Sequence, residues 1–111
     1  MDNRIQNLAK VLVNYSLRIK SGDLFKISAE PVAEPLIRAV YDEALKMGAH
    51  VYADLSLIDL RESLLKHGSD AQLAYISPIR EFEIEKMDAL LTIWGSTNTK
   101  FLTGINPARQ Q

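Results

Sequence analysis

Apolar positions fall along this chain with two alternating periods. From Asn3 to Ile19 they recur at spacings of three and four (Ile5, Leu8, Ala9, Leu12, Ile19, with the small Ser16 between), which predicts a helix with one stripe against a core. Val13 and Leu17 widen that stripe, so the helix is expected to touch two neighbours. Asn3 is the candidate N-cap and Gln6 its capping-box partner. Ser21-Gly22-Asp23 is the turn expected to stop the helix, with Gly22 left-handed. Leu24–Ala29 (LFKISA) then reads as a strand, apolar except at Lys26 and Ser28, as in a parallel sheet covered by helices on both faces.

The organising stretch is Asp23–Leu55. After the first strand, Pro31 and Pro35 mark a joint, Pro35 being acceptable in a first helical turn. The helix that follows, Pro35–Gly48, carries Leu36, Ile37, Val40, Tyr41, Ala44, Leu45 and Met47, with Asp42 and Lys46 expected to pair at i,i+4. Val51–Leu55 is a second strand. A helical crossover between adjacent strands implies parallel pairing, right-handed in ~98% of cases.

Beyond it, Ser56 is expected to cap a helix over Leu57–His67, with Asp59 reaching back, an apolar face of Leu57, Leu60 and Leu64, and Gly68 as terminator. Ser69 and Gln72 form a second capping pattern for a short helix through Tyr75, stopped at Ser77-Pro78. Residues 79–87 fit an alternating edge strand or a helix begun at Pro78, and the rhythm of strand and crossover favours the helix. Ala89–Trp94 (ALLTIW) is a third buried parallel strand. Phe101 and Leu102 pack back, Gly104 breaks the chain, and Asn106-Pro107 announces a helix just before the end. The expected fold is therefore a three-layer α/β/α domain over residues 1–111. Its Rossmann-like, mainly parallel sheet has at least three strands, and it reads as the front part of something longer.

Composition narrows the partners. Thirteen basic against fourteen acidic residues leave a net charge of -1, with no basic run to contact phosphates, so nucleic acid is not expected. Without cysteine there is no disulfide, thiolate metal site or cysteine nucleophile. No apolar stretch approaches the ~20 residues of a membrane span, and the N-terminus lacks a signal-peptide core. A cytoplasmic protein is the expectation.

The residues that carry chemistry are few. His50 and His67 are the only histidines, neither in a metal-ligand spacing, and both read as structural. Glu81, Glu83 and Glu85 read as a solvated face, since close carboxylates shift their pKa usefully only when buried. Trp94 and Tyr75 read as core or domain-interface aromatics, and no serine lies in a nucleophile elbow. No catalytic or metal residue emerges. The loop Gly95–Thr99 leaves the C-terminal end of a parallel strand, where open α/β sheets hold ligands, so Gly95, Ser96, Thr97 and Asn98 are the candidate ligand contacts. The first strand-to-helix turn, AEPVAEP, has prolines where a pyrophosphate-binding turn needs glycines.

The segments AKVLVNYSLRIKSGD, AEPLIRAVYDEALKMGAHVY, DALLTIWGSTNT and GINPAR together resemble the N-terminal domain of the thermophilic-type metallo-aminopeptidases, the aminopeptidase T family. The resemblance implies a longer enzyme that removes N-terminal amino acids from peptides. It would use two divalent ions (zinc, cobalt or magnesium) held by ligands in a C-terminal catalytic domain, and no cofactor in this segment. It also implies a homodimer, with this segment inactive alone and helping to wall the active-site cavity. Two rival readings stand beside it: a freestanding small-ligand-binding or regulatory α/β module using the Gly95–Thr99 loop, and a dimerisation domain.

Overall fold

The computed structural model describes residues 3–94 and 100–105. Helix α1, Asn3–Val11, has Asn3 as its first residue, and a π-helical turn over Leu12–Ser16 follows. The helix expected to run to Ile19 therefore ends early. Its last turn explains why. An α-helical step of four from Leu12 would bring Ser16 to the core, whereas the Leu17 N–H donating to the Leu12 carbonyl, five residues back, brings Leu17 there instead. Leu17 is buried and Ser16 exposed. The reversal is made by Arg18, in a left-handed conformation (φ 51°), while Gly22 (φ 87°) turns the chain only afterwards, into the sheet.

Strand β1 is Leu24–Ala29, followed by a 3-10 turn at Pro31–Ala33, helix α2 (Glu34–Lys46) and strand β2 (His50–Leu55). The two prolines shape the joint as expected: Pro31 opens the 3-10 turn and Pro35 lies in the first turn of α2. Lys46 pairs with Glu43 at 3.6 Å rather than with Asp42. Three short helices follow, α3 (Ile58–His67), α4 (Asp70–Ala74) and α5 (Pro78–Lys86), then strands β3 (Ala89–Trp94) and β4 (Lys100–Ile105). The helical reading of residues 79–87 holds. The break expected at Gly104 does not, because that residue pairs with Leu90 inside β4. A strand was missed there because glycine weakens a strand pattern without forbidding one. The helix announced at Asn106-Pro107 lies outside the described residues.

The sheet order is β2-β1-β3-β4, parallel across the first three strands and antiparallel at β4. That order explains the layers. The chain moves from β1 to β2 in one direction, then returns past β1 to reach β3, so right-handed connections put α2 and α3–α5 on opposite faces. On the first face Phe25, Ile27 and Ala29 of β1 join Leu91 and Ile93 of β3. They form one core with Leu12, Val13 and Leu17 and with Ile37, Val40 and Ala44 of α2. On the second face α5 comes down onto the strands, tied to β1 through Glu83. None of α3, α4 and α5 buries a described residue, and no described helix is long and apolar enough to cross a membrane.

Two capping expectations divide. Ser69 and Gln72 form a complete capping box at α4, and Ser77 accepts from the Arg80 amide at α5. Ser56 caps nothing. Its N–H donates to the Ala29 carbonyl at 3.0 Å, which prolongs the β2 pairing by a residue, so α3 starts at Ile58 with Leu57 at the cap position.

Candidate functional site

The second face of the sheet forms rows that follow from the strand register. Tyr52, Lys26 and Leu90 stand side by side on β2, β1 and β3, and Asp54, Ser28 and Thr92 form the next row toward the C-terminal edge. Helix α5 crosses above them. Between the strands and α5 lies an open cleft of ≈ 610 Å³, within the size range of small-molecule sites. Its polar lining includes Lys26, Ser28, Asp54, Arg80, Glu83 and Thr92, and Ile79, Ile84, Met87 and Leu90 supply the apolar part.

Lys26 is the hub. A lysine in the middle of the central strand has its stem enclosed by neighbouring strands, and its ammonium must find an anion. It donates to Glu83 Oε2 of α5 at 2.5 Å, stands 3.7 Å from Asp54 Oδ2 of β2, and lies 5.9 Å from the centre of the Tyr52 ring. The Lys26 ammonium, with the Tyr52 hydroxyl second, holds the Glu83 carboxyl below its ordinary value. Tyr52 moves the other way. Burial first, then the hydrogen bond with Glu83 and after it the Glu83 charge, push its phenol up to about 12. The carboxylates at 81, 83 and 85 are thus not equivalent: Glu83 is drawn onto the sheet, while Glu81 and Glu85 are exposed as the sequence implies. The sequence could have singled out Glu83, since a lysine in an otherwise apolar strand requires an acidic partner from a covering element.

A second tie fixes the far end of α5. The Leu24 N–H donates to Asp88 Oδ2 at 2.9 Å and the Asp88 N–H returns to the Leu24 carbonyl at 2.9 Å. Helix α5 therefore runs from the C-terminal edge of the strands, at Ser77, to their N-terminal edge, at Asp88.

The sequence-predicted contacts Gly95, Ser96, Thr97 and Asn98 lie outside the described residues. What the structure gives is their point of departure: β3 is paired with central β1 and ends at the C-terminal edge of the parallel strands. His50 opens β2 and His67 closes α3, as expected. Tyr75 is not a core aromatic, being well exposed, and the Trp94 side chain lies outside the described set. Among the described residues no group of three or more His, Asp and Glu side chains is placed to hold a metal ion.

No curated protein matches the chain. The family model described as thermophilic metalloprotease (M29) matches residues 1–111, from the first residue to the last. With an α/β architecture, helices on opposite faces of the sheet and a match over its whole length, the chain belongs to the thermophilic metalloprotease (M29) family.

Proposed function

We propose that the chain is the non-catalytic, N-terminal α/β domain of a longer metal-dependent aminopeptidase, an enzyme that releases N-terminal amino acids from peptides. The observation that carries this reading is the family match over residues 1–111. The family is one of metallopeptidases, yet the described residues do not fit a metal centre: their donor set has no triad of His, Asp and Glu in reach of one ion. On this reading the divalent ions, zinc, cobalt or magnesium, are held by a C-terminal catalytic domain, and no step of peptide hydrolysis is assigned to residues of this chain.

A scaffold role also agrees with the exposed apolar side chains of α3–α5. Leu60, Leu65, Ile79, Phe82 and Ile84 are each at least 60% exposed, as are Leu57, Tyr75 and Ile76 in the joints beside them, and a catalytic domain or the second subunit of a homodimer would cover them. A cytoplasmic location completes the proposal.

The test compares two proteins in one assay. The 111-residue chain is expected to leave an aminoacyl-nitroanilide intact with added zinc, cobalt or magnesium, while the same chain continued through its native downstream sequence hydrolyses it. Metal-dependent turnover by the 111-residue chain, abolished by chelation, would sink the proposal.

A further inference from the structure

Strand β2 is an open edge of the sheet. Among the described strands it pairs with β1 alone, in register from Leu24↔His50 to Ala29↔Leu55 with no bulge. The hydrogen bonds at its two ends show which backbone groups that pairing uses. The His50 N–H donates to the Asp23 carbonyl at 2.7 Å and the Ser56 N–H to the Ala29 carbonyl at 3.0 Å, so the even-numbered residues face β1. The N–H and C=O groups of Val51, Ala53 and Leu55 therefore point away from β1, where no described residue meets them. Ala53 and Leu55 also belong to the core face and are nonetheless exposed, Leu55 by 52%. Such an edge is a template for another strand, and sheets usually blunt it with proline, lysine or a bulge. β2 carries none of these.

The side chains say which strand fits. A second copy meets β2 about a two-fold axis, which makes the two strands antiparallel and keeps both core faces on one side of the joined sheet. Opposed residues then share a face, so the axis passes through a residue; a slip by one would set core-face positions against those of the second face. With the axis at Tyr52, His50 stands opposite Asp54 of the second copy, and Asp54 opposite its His50, so a donor faces a carboxylate twice. The two tyrosines form an aromatic pair between them. The backbone agrees, because in that register Val51 and Ala53, both with outward groups, are the residues that exchange N–H···O bonds across the axis. An axis at Asp54 would set two carboxylates against each other, and one at Ala53 would give up both His50–Asp54 pairs. Asp54 is 59% exposed, and with its Oδ2 3.7 Å from the Lys26 ammonium its Oδ1 is left to accept.

We propose that β2 pairs with β2 of a second copy of this chain, antiparallel about a two-fold axis at Tyr52, so that two sheets become one. The pairing rests on the edge and not on the aminopeptidase reading: a monomeric chain would leave the nitroanilide comparison unchanged, and turnover by the chain would leave the edge as it is. It also differs from a subunit seated on α3–α5, which would leave β2 uncovered.

Two measurements test it. In sedimentation equilibrium the unaltered 111-residue chain is expected to pass from monomer to dimer as concentration rises. Over the same range the Val51 and Ala53 amides should slow in hydrogen exchange by about tenfold or more. The chain has no cysteine, so single replacements report the register. Tyr52→Cys sets two thiols at a directly opposed pair, with Cα atoms ~4.5 Å apart, and should give a disulfide-linked dimer on oxidation. Ala53→Cys sets them on the diagonal, ~7–8 Å apart and outside disulfide reach, and should not. The proposal is overturned by a chain that stays monomeric at millimolar concentration, by a dimer in which Val51 and Ala53 exchange unchanged, or by Ala53→Cys cross-linking as fast as Tyr52→Cys. The exchange measurement is made on the unaltered chain, so it stands even if Tyr52→Cys loosens α5.

Discussion

Gly22 and Gly48 have nearly the same left-handed backbone, φ 87° and 89°, and differ in their surroundings. A Cβ at Gly22 would meet nothing within 4 Å, whereas one at Gly48 would lie 2.7 Å from Ser21 Oγ and 3.3 Å from Ser21 Cα. The closeness is built into the fold, because the Gly22 N–H donates to the Gly48 carbonyl at 2.9 Å where the start of β1 meets the end of α2. Gly22→Ala should cost about 1–2 kcal/mol, from backbone strain alone. Gly48→Ala should cost more, since alanine there adds a collision to the same strain. Urea unfolding measures both, and adding Ser21→Gly to Gly48→Ala should bring its loss back toward the Gly22→Ala value. At this scale the sequence was partly legible. Glycine after a helical pattern signals a left-handed position, but nothing local marked Arg18, which has a φ of 51° directly after the π-helical turn and the buried Leu17.

Helix α5 shows how an element can have its type written locally and its position written elsewhere. Ser77 and Pro78 specify the start, and the Ser77 oxygen accepts from the Arg80 amide at 3.5 Å. Nothing in residues 78–86 says which face of the helix meets the sheet, because Ile79, Phe82 and Ile84 are all more than 60% exposed. The orientation is set by Lys26 reaching Glu83 and by the Asp88–Leu24 pair. The Glu83 carboxyl is held below its ordinary 4.5 by Lys26, then by Tyr52. A carboxyl with a depressed folded pKa contributes stability that is complete above the unfolded value and is lost as pH falls through the folded one. Glu83→Gln should therefore be less stable than the unaltered chain by a constant margin above pH 4.5, and the margin should close as pH drops further below 4.5. Parallel urea melts across that range test it, and a margin independent of pH would show that the pair does not contribute through its charge.

At the scale of the whole molecule the chain is a slab. Its extents are 44 × 35 × 18 Å and its radius of gyration is 15.2 Å, against about 13 Å for a compact domain of ~100 residues. The packed side, α1 and α2 on the sheet, holds the buried core; the other side holds the cleft and the exposed apolar residues of α3–α5. Helices without buried contacts open at low free energy. Amide exchange should thus find β1, β3 and α2 protected and α3–α5 exchanging early in the 111-residue chain. In a protein continued through its downstream sequence, α3–α5 should gain protection if a catalytic domain or second subunit covers them.

The sequence by itself determined most elements, the parallel βαβ unit and the family. Hydrophobic period, capping residues and turn chemistry act between near neighbours, and these depend only on the order of residues. The four-strand order, the antiparallel β4 and the pairing of Lys26 with Glu83, 57 positions away, were decided by the tertiary structure alone. So was the cleft. Its lining comes from β1, β2, α5 and β3, and only the return of the chain past β1 brings Asp54, Ser28, Arg80 and Thr92 to one face. A charge in a strand announces that a partner is needed; which residue answers depends on the direction of the crossover, and that is a property of the folded sheet.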